Sequence, residues 1–232
     1  MPYRRFAIFY LPPPGLLTSF ATQWLGWDVL AGQSVTQLDL DGLEEATQAP
    51  RKYGFHGTLK PPFQLAEGSD LAQLTEALSD LAGSCDPAEC EGLELTRLGR
   101  FFALTPVGDT QALKHLAARC VQELDRFRAP LKEDELLRRR KKSLSPRQDA
   151  LLQTWGYPYV MEEFRFHLTL TGRLPKADLP HWQERLSSHL PPLPSPFRVE
   201  EIALVGEREN GFFQLIQKVR LGSQCGAQHP GA

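Results

Sequence analysis

The stretch Tyr53-Gly-Phe-His-Gly-Thr-Leu-Lys60 has a shorter counterpart later in the chain, Phe166-His-Leu-Thr-Leu170, so the pattern Phe-His-x-Thr-Leu occurs twice. The two histidines, His56 and His167, lie 111 residues apart (167 − 56). β-Branched and apolar residues alternate with polar ones in both copies, which predicts a β-strand in each. The fold is therefore predicted around these two strands.

Alternation along a strand decides which side chains share a face, because residues i and i+2 point to the same side. Six side chains are predicted to face one cleft: His56, Thr58 and Lys60 from the first strand, and His167, Thr169 and Thr171 from the second. Tyr53 is a further candidate at the mouth of this cleft. Strict alternation would place its side chain on the face opposite His56 unless the strand begins later.

A second pair of segments repeats at the same spacing. Phe101-Phe-Ala-Leu104 begins 45 residues after the first histidine (101 − 56), and Phe212-Phe-Gln-Leu215 begins 45 residues after the second (212 − 167). Between these anchors both halves carry a segment of helical periodicity. Two matches at one shift indicate an internal duplication, in which each copy contains a strand, a helix and two further strands.

Composition limits the possible functions. The chain has 232 residues and a formal net charge of −2, so no overall positive charge draws it to nucleic acid or to a membrane. No apolar segment approaches the ~20 residues of a membrane span, and the apolar run after Arg4-Arg5 is too short for a complete signal peptide. Four scattered cysteines are predicted to be free thiols. We therefore expect a cytoplasmic protein with no membrane partner.

The predicted architecture is a single bilobal domain over residues 1–221, followed by a disordered tail over residues 222–232. The motif region of the first lobe covers about residues 53–106 and that of the second about residues 163–221. Residues 130–158 have no counterpart in the repeat and are predicted to connect the lobes.

Two features of this connector allow two interpretations each. The basic run Arg138-Arg-Arg-Lys-Lys142 either contacts phosphate groups or forms a solvated helix face that offsets the acidic residues before it. Tyr157 and Tyr159 either stack on a planar group of a ligand or pack the connector against the lobes. The sequence leaves both alternatives open.

Two imidazoles that face one ligand suit the cleavage of a phosphodiester. A neutral imidazole takes a proton from the attacking water or hydroxyl, and a protonated one gives a proton to the leaving oxygen. Thr58 and Thr169 can donate hydrogen bonds to the phosphate oxygens on which charge develops, and Lys60 can add a positive charge. This chemistry requires no metal or other cofactor, and a zinc site is disfavoured because neither motif supplies a third ligand at the usual spacing. A structural role is the ordinary explanation for one His-x-Thr strand, but two copies in register favour catalysis.

His56-Gly-Thr-Leu59 and His167-Leu-Thr-Leu170 resemble the paired motifs of the two-histidine (2H) phosphoesterase superfamily. Trp155-Gly-Tyr-Pro-Tyr159 and the residues around both motifs resemble more closely a bacterial branch of that superfamily, which is linked to phosphonate metabolism and has no known function. The resemblance implies an α+β fold in which two antiparallel sheets, with helices on the outside, enclose a central cleft. It implies His56 and His167 as the acid–base pair, with the two threonines of the motifs as phosphate-binding hydroxyls.

The sequence therefore predicts a metal-independent cyclic phosphodiesterase that acts on a small phosphorylated substrate in phosphonate metabolism. A first alternative is an enzyme that processes the 2′,3′-cyclic phosphate ends of RNA, which the near-neutral charge disfavours. A second is a non-catalytic protein that binds a phosphorylated metabolite, which would have little use for two imidazoles. The substrate, the division of acid and base roles between the histidines and the oligomeric state are not predicted.

Overall fold

The computed structural model of the protein describes residues 3–140 and 143–222. Residues 223–232 of the tail predicted to be disordered lie outside this range, as do Lys141 and Lys142 of the basic run. No helix within the described ranges is both long and apolar enough to cross a membrane. Three of the predicted free cysteines, Cys85, Cys90 and Cys120, are free and buried, which confirms the prediction for these three.

The described residues form eleven strands and seven α-helices. The strands are β1 (Arg5–Tyr10), β2 (Trp27–Asp28), β3 (Gln33–Ser34), β4 (Gly57–Phe63), β5 (Ala88–Cys90), β6 (Gly92–Leu98), β7 (Phe101–Val107), β8 (Leu168–Thr169), β9 (Phe197–Val199), β10 (Glu201–Glu207) and β11 (Phe213–Arg220). The helices are α1 (Leu16–Leu25), α2 (Leu43–Arg51), α3 (Leu71–Gly83), α4 (Gln111–Glu123), α5 (Glu133–Arg140), α6 (Pro146–Trp155) and α7 (Leu179–His189).

Seven strands form one antiparallel sheet in the order β11-β10-β1-β4-β8-β7-β6. The two motif strands, β4 and β8, are neighbours in the middle of this sheet, where a single residue pair, Gly57 with Leu168, joins them. The sheet thus consists of two antiparallel halves that meet at the two motifs. Antiparallel strands combined with helices confirm the predicted mixed fold.

Each half of the sheet combines strands from both repeats. Strand β4 lies beside β1 and the hairpin β10–β11, whereas β8 pairs with β7 of the hairpin β6–β7. The hairpin that follows each motif in the sequence therefore packs with the strand of the other motif. The predicted repeats contain the right elements, but the structure distributes those elements across both halves. Local periodicity carries no information about this exchange, because strand partners are chosen by contacts between distant residues.

Strand β1 separates two hydrophobic clusters through its alternation. Phe6, Ile8 and Tyr10 belong to the large cluster that the helices cover, whereas Ala7 and Phe9 belong to a smaller cluster on the other face. The second face also carries the histidine of the first motif, whose ring contacts Phe9. This alternation gives the sheet one face for the main core and one for the site.

Helices α3 and α6 have clear local reasons to begin where they do. Asp70 caps α3 and Ser145 caps α6, and in both a glutamine three residues later returns the hydrogen bond to form a capping box. Helix α3 buries Leu74, Leu78 and Leu81, which share one helical face. The leucine periodicity of residues 71–81 predicts this buried face from the sequence.

Candidate active site

A pocket of about 550 Å³ is lined by residues of both motifs. The structure brings together six of the seven side chains that the sequence predicts as site residues. These are His56, Thr58, His167, Thr169, Thr171 and Tyr53. The seventh, Lys60, does not line this pocket. Two imidazoles and several hydroxyls therefore face one space between the halves of the sheet.

The turn before β4 holds the imidazole of His56. Gly54 adopts a φ of 69°, in the left-handed region that glycine reaches without steric cost. The carbonyl oxygen of Gly54 lies 2.9 Å from Nδ1 of His56. Because a carbonyl can only accept, Nδ1 carries the hydrogen of the neutral ring. Nε2 is then left with its lone pair, 3.1 Å from Oγ1 of Thr58.

The second imidazole is held in the same way. Nδ1 of His167 lies 2.8 Å from the carbonyl oxygen of Arg165, two residues before it, as Gly54 is two residues before His56. This hydrogen bond again assigns the ring hydrogen to Nδ1 and leaves Nε2 for the pocket. The two copies therefore share not only their residue types but also the position of the hydrogen on Nδ1.

The two imidazoles differ in burial. His56 is 8% exposed, and the centroid of its ring lies 4.0 Å from that of Phe9 and 5.6 Å from that of Tyr53. His167 is half-buried, and the ring of Phe101 lies 5.8 Å away. Burial lowers the pKa of His56 to about 4; the Gly54 hydrogen bond opposes this shift and the charge of His167 adds to it. His56 is therefore neutral at pH 7.

Tyr53 lies on the same side of the pocket as His56. Its ring stacks on His56 and, at 5.0 Å, on Phe213. Strand β4 begins only at Gly57, after the turn at Gly54, so the strict alternation that would separate Tyr53 from His56 does not apply. The sequence allows Tyr53 at the pocket only if the strand begins later, and this is where the strand begins.

The hydroxyls of the motifs occupy different environments. Thr58 and Thr169 are half-buried on the pocket wall. Thr171 is 1% exposed, and its Oγ1 accepts a hydrogen bond from the backbone nitrogen of Phe102 at 2.9 Å. The hydroxyl hydrogens of Thr169 and Thr171 can be donated to a bound anion, whereas that of Thr58 is donated to Nε2 of the neutral His56 ring and must turn to an anion when one binds.

The structure does not support the predicted role of Lys60 in substrate binding. Its side chain is 2% exposed, and Nζ donates to the carbonyl oxygen of Val121 at 2.9 Å and to Asp125 at 3.4 Å. The strand register explains the difference. Phe9 pairs with Thr58 but Ile8 pairs with Lys60, so β4 contains one extra residue and its alternation is interrupted. Lys60 therefore turns away from the face that carries Thr58.

Several residues that the sequence analysis did not single out also line the pocket. They are Arg5, Glu163, Arg165 and Arg173. Arg165 and Arg173 continue the alternation of the second motif in both directions, so extending the i, i+2 pattern would have found them. Arg5 comes from β1, and no local signal connects it to the motifs.

The connector forms part of the pocket wall through Arg139, Tyr157 and Tyr159. The guanidinium of Arg139 lies 5.3 Å from the ring of Tyr157 and pairs with Glu135 at 2.6 Å. Arg140 instead pairs with Asp149 at 2.6 Å. The basic run is thus divided between a pocket residue and surface ion pairs, and both tyrosines are placed where a ligand would meet them.

The described part of the chain contains no cluster of three or more His, Cys, Asp or Glu side chains that could hold a metal ion. The donors that line the pocket are imidazoles, hydroxyls and guanidinium groups. Guanidinium and hydroxyl groups bind anions, and the planar guanidinium matches the geometry of carboxylate and phosphate groups. The pocket therefore has the chemistry of a site for an anionic ligand.

Comparison with known proteins gives a family. The chain belongs to the family described as a protein of unknown function (DUF1045), whose model matches residues 58–214. This range contains Thr58 of the first motif and all of the second. The match confirms the resemblance, predicted from the sequence, to a bacterial branch without a known function.

Two curated relatives share the name ribose 1,5-bisphosphate phosphokinase PhnN. The protein of Janthinobacterium sp. (strain Marseille) is 38% identical over 180 residues, which cover 75% of this chain and 40% of the relative. That of Laribacter hongkongensis (strain HLHK9) is 34% identical over 224 residues, covering 94% of this chain and 52% of the relative. The chain thus spans about half the length of these relatives or less.

Solved structures show a more distant likeness. LigT of E. coli complexed with 3′-AMP is 16% identical with a TM-score of 0.46, over 94% of this chain and 98% of the other. TT0787 of Thermus thermophilus is 15% identical with a TM-score of 0.46, over 95% and 99% of the two chains.

Proposed function

We propose that this chain is a phosphodiesterase that opens a small cyclic phosphate by acid–base catalysis in phosphonate metabolism. The observation that carries the proposal is the equivalence of the two imidazoles. His56 and His167 occur in the same motif, donate Nδ1–H to the carbonyl two residues earlier, and line one pocket. A single buried histidine has many structural explanations, but two that present Nε2 to the same space match the needs of a reaction with two proton transfers.

The geometry supports a division of roles. His56 is neutral at pH 7 because burial lowers its pKa, so its Nε2 lone pair can accept a proton from a water molecule. The water oxygen then forms a bond to phosphorus, and the bond from phosphorus to one ester oxygen breaks. His167, the more exposed ring, acts as the acid in its doubly protonated form: Nδ1–H stays on the carbonyl oxygen of Arg165, and the proton on Nε2 passes to that leaving oxygen. The product is a phosphate monoester with a free hydroxyl.

The two motif threonines act on the phosphate itself. Thr58 and Thr169 have hydroxyl hydrogens that can bind its non-bridging oxygens, where negative charge increases in the transition state. A donor aimed at such an oxygen in a partly enclosed site typically accelerates a reaction by about 10²- to 10³-fold. These groups belong to the chain, so the proposed steps need no metal.

The names of the relatives support the kind of substrate. Both relatives are named for action on a phosphorylated ribose. About half or more of each relative lies outside the part that this chain matches, and this sequence contains no Gly-Lys pair, on which the usual kinase phosphate-binding loop depends. We therefore propose that this chain acts in the same metabolism as such a kinase, on a related sugar phosphate, and is not itself the kinase.

Turnover of cyclic phosphates tests the proposal. The panel contains the four nucleoside 2′,3′-cyclic monophosphates and ribose cyclic phosphates, assayed with EDTA and no added metal. We expect opening of at least one ring, and a loss of about 10²- to 10⁴-fold in kcat for His56→Gln and for His167→Gln. His115→Gln is the control, because His115 does not line the pocket. Hydrolysis that persists in both variants would refute the acid–base assignment, and saturable binding without turnover would favour the metabolite-binding alternative.

A further inference from the structure

The alternating row of the second motif extends beyond its histidine and threonine. Every second residue from 165 to 173 lines the pocket: Arg165, His167, Thr169, Thr171 and Arg173. The first motif has different residues at the matching end positions, Gly54 and Pro62. The site is therefore nearly symmetric in its imidazoles and motif hydroxyls but asymmetric in positive charge, which is concentrated along the second motif.

Two of the four arginines that line the pocket are already neutralised by ion pairs. Arg5 forms two hydrogen bonds with Glu207, at 2.5 and 2.8 Å. Arg139 pairs with Glu135. The remaining two arginines are at opposite ends of the alternating row, where their surroundings differ.

The surroundings of Arg165 include an acidic residue of the pocket wall. Glu163 lies two residues before Arg165 in the chain and also lines the pocket, although the two side chains form no ion pair. At the other end, within the described part of the chain, no carboxylate lies within 4 Å of Arg173. Gly172, which precedes it in the chain, lies against Ala49 and Pro50, and all three line the pocket and are uncharged. An exposed guanidinium beside an apolar wall is a binding position for an anion.

Thr171 adds a donor beside this guanidinium. It is 1% exposed, and its oxygen already accepts the backbone hydrogen bond of Phe102. The hydroxyl hydrogen of Thr171 has no acceptor among the described residues, although the side chain lines the pocket. A buried hydroxyl normally finds a partner for its hydrogen, because leaving it unpaired costs free energy. A ligand oxygen would supply that partner.

We propose that Arg173 and Thr171 form a subsite for a second anionic group, so that the substrate carries a phosphate monoester in addition to the cyclic phosphate. This inference rests on the proposed function, since the cyclic phosphate is taken to lie between the two histidines. The substrate class is a sugar with a cyclic phosphate on one side of the ring and a phosphate monoester on another carbon. The asymmetric charge then fixes which ester oxygen faces His167.

Paired substrates test the subsite during turnover. Adenosine 2′,3′-cyclic phosphate and its 5′-phosphorylated form contain the same reacting bond and differ only in the second phosphate. We expect kcat/KM to be about 10- to 100-fold higher for the doubly charged substrate. Arg173→Gln should remove this preference, mainly through KM, and leave the singly charged substrate little changed. Equal rates for both substrates in the wild type would overturn the proposal.

Binding of products tests the subsite without any turnover. Calorimetry compares adenosine 3′,5′-bisphosphate with adenosine 3′-monophosphate on the wild type and Arg173→Gln. A bisphosphate preference of at least about tenfold that Arg173→Gln abolishes supports the subsite, even if no cyclic phosphate is hydrolysed and the proposed function fails. Equal affinities for the two ligands would reject the subsite, whether or not cyclic phosphates are opened.

Two arginine variants control for the loss of positive charge. Arg165→Gln removes the same charge from the same row, next to Glu163, and is expected to keep most of the bisphosphate preference. Arg198→Gln removes an arginine that lies outside the pocket and pairs with Glu89, and should leave both ligands unaffected. Thr171→Val should lower the preference partly, and Thr171→Ser should restore it. An equal loss of preference in the Arg165 and Arg173 variants would indicate general attraction by charge and overturn the assignment.

Discussion

The ring of Phe9 lies 4.0 Å from the imidazole of His56, measured between centroids, with the two planes inclined by 31°. Tyr53 also stacks on the same imidazole, with centroids 5.6 Å apart. An apolar enclosure of this kind disfavours the charged ring, because the protein cannot replace the water that would solvate it. The pKa of His56 falls to about 4 for this reason.

This enclosure predicts a loss of stability in acid. In the unfolded chain His56 binds a proton below about pH 6.5, whereas in the folded chain it binds one only below about pH 4. Between these values the unfolded state binds more protons, so the free energy of unfolding falls as the pH falls. Compared with its value above pH 6.5, the free energy of unfolding should be about 2 kcal/mol lower at pH 5 because of this group. Urea denaturation at pH 7 and pH 5 measures the difference.

Two histidine variants isolate this effect from other titrating groups. The loss of unfolding free energy between pH 7 and pH 5 should be about 2 kcal/mol smaller in His56→Gln than in the wild type. His167→Gln retains the enclosed ring, whose burial is the largest cause of the lowered pKa of His56, and should keep most of the sensitivity of the wild type. If the wild type and His56→Gln lost equal stability between pH 7 and pH 5, the enclosure of His56 would not be the cause.

The two motif threonines are predicted to contribute mainly to kcat. Oγ1 of Thr58 lies 3.1 Å from Nε2 of His56, so its hydroxyl is positioned beside the proposed base. Thr58→Val and Thr169→Val keep the shape of the side chain and remove its donor. We expect each to lower kcat on the best cyclic phosphate by about 10²- to 10³-fold with a smaller change in KM, and Thr→Ser to recover most of the rate. A loss confined to KM would assign the hydroxyls to ground-state binding instead.

The sequence predicts the site better than it predicts the sheet. The residue pattern of each motif is local, so His56, Thr58, His167 and Thr169 could be assigned to one face from their spacing alone. The exchange of hairpins between the repeats depends on pairing across more than a hundred residues, which periodicity does not encode. The extra residue that turns Lys60 away is equally hidden, because a bulge is visible only when the partner strand is known.

Lys60 is predicted to affect stability rather than substrate binding. Its buried ammonium bonds to Val121 and Asp125, and burial lowers its pKa to about 8. Lys60→Met leaves both acceptors without this donor and should cost about 1–3 kcal/mol of unfolding free energy. The value of kcat/KM should stay within about threefold of the wild type, which corresponds to a free-energy difference of less than ~1 kcal/mol. Lys218→Met is the control, since Lys218 forms a partly exposed ion pair with Glu201 that is worth at most about 1 kcal/mol. A tenfold rise in KM for Lys60→Met alone would reinstate a binding role.

Within the shared pattern Phe-His-x-Thr-Leu the two copies differ only at the middle residue, which is Gly57 in the first and Leu168 in the second. The two residues form the single pair that joins the halves of the sheet. A Cβ atom at Gly57 would lie 2.3 Å from the ring of Phe166, which is 6% exposed and also packs against Phe197. The ring has little room to move, so glycine is needed here for close approach rather than for an unusual φ.

Gly57→Ala is therefore expected to lower the free energy of unfolding by about 1–3 kcal/mol through overpacking. The double variant Gly57→Ala/Phe166→Leu should lose less unfolding free energy than the sum of the losses in the two single variants. The smaller side chain at residue 166 makes room for the new methyl group. Gly15→Ala is the matched control, since nothing lies within 4 Å of a Cβ at that position. Strict additivity in urea denaturation of the four combinations would show that the clash with Phe166 is not what excludes a side chain at residue 57.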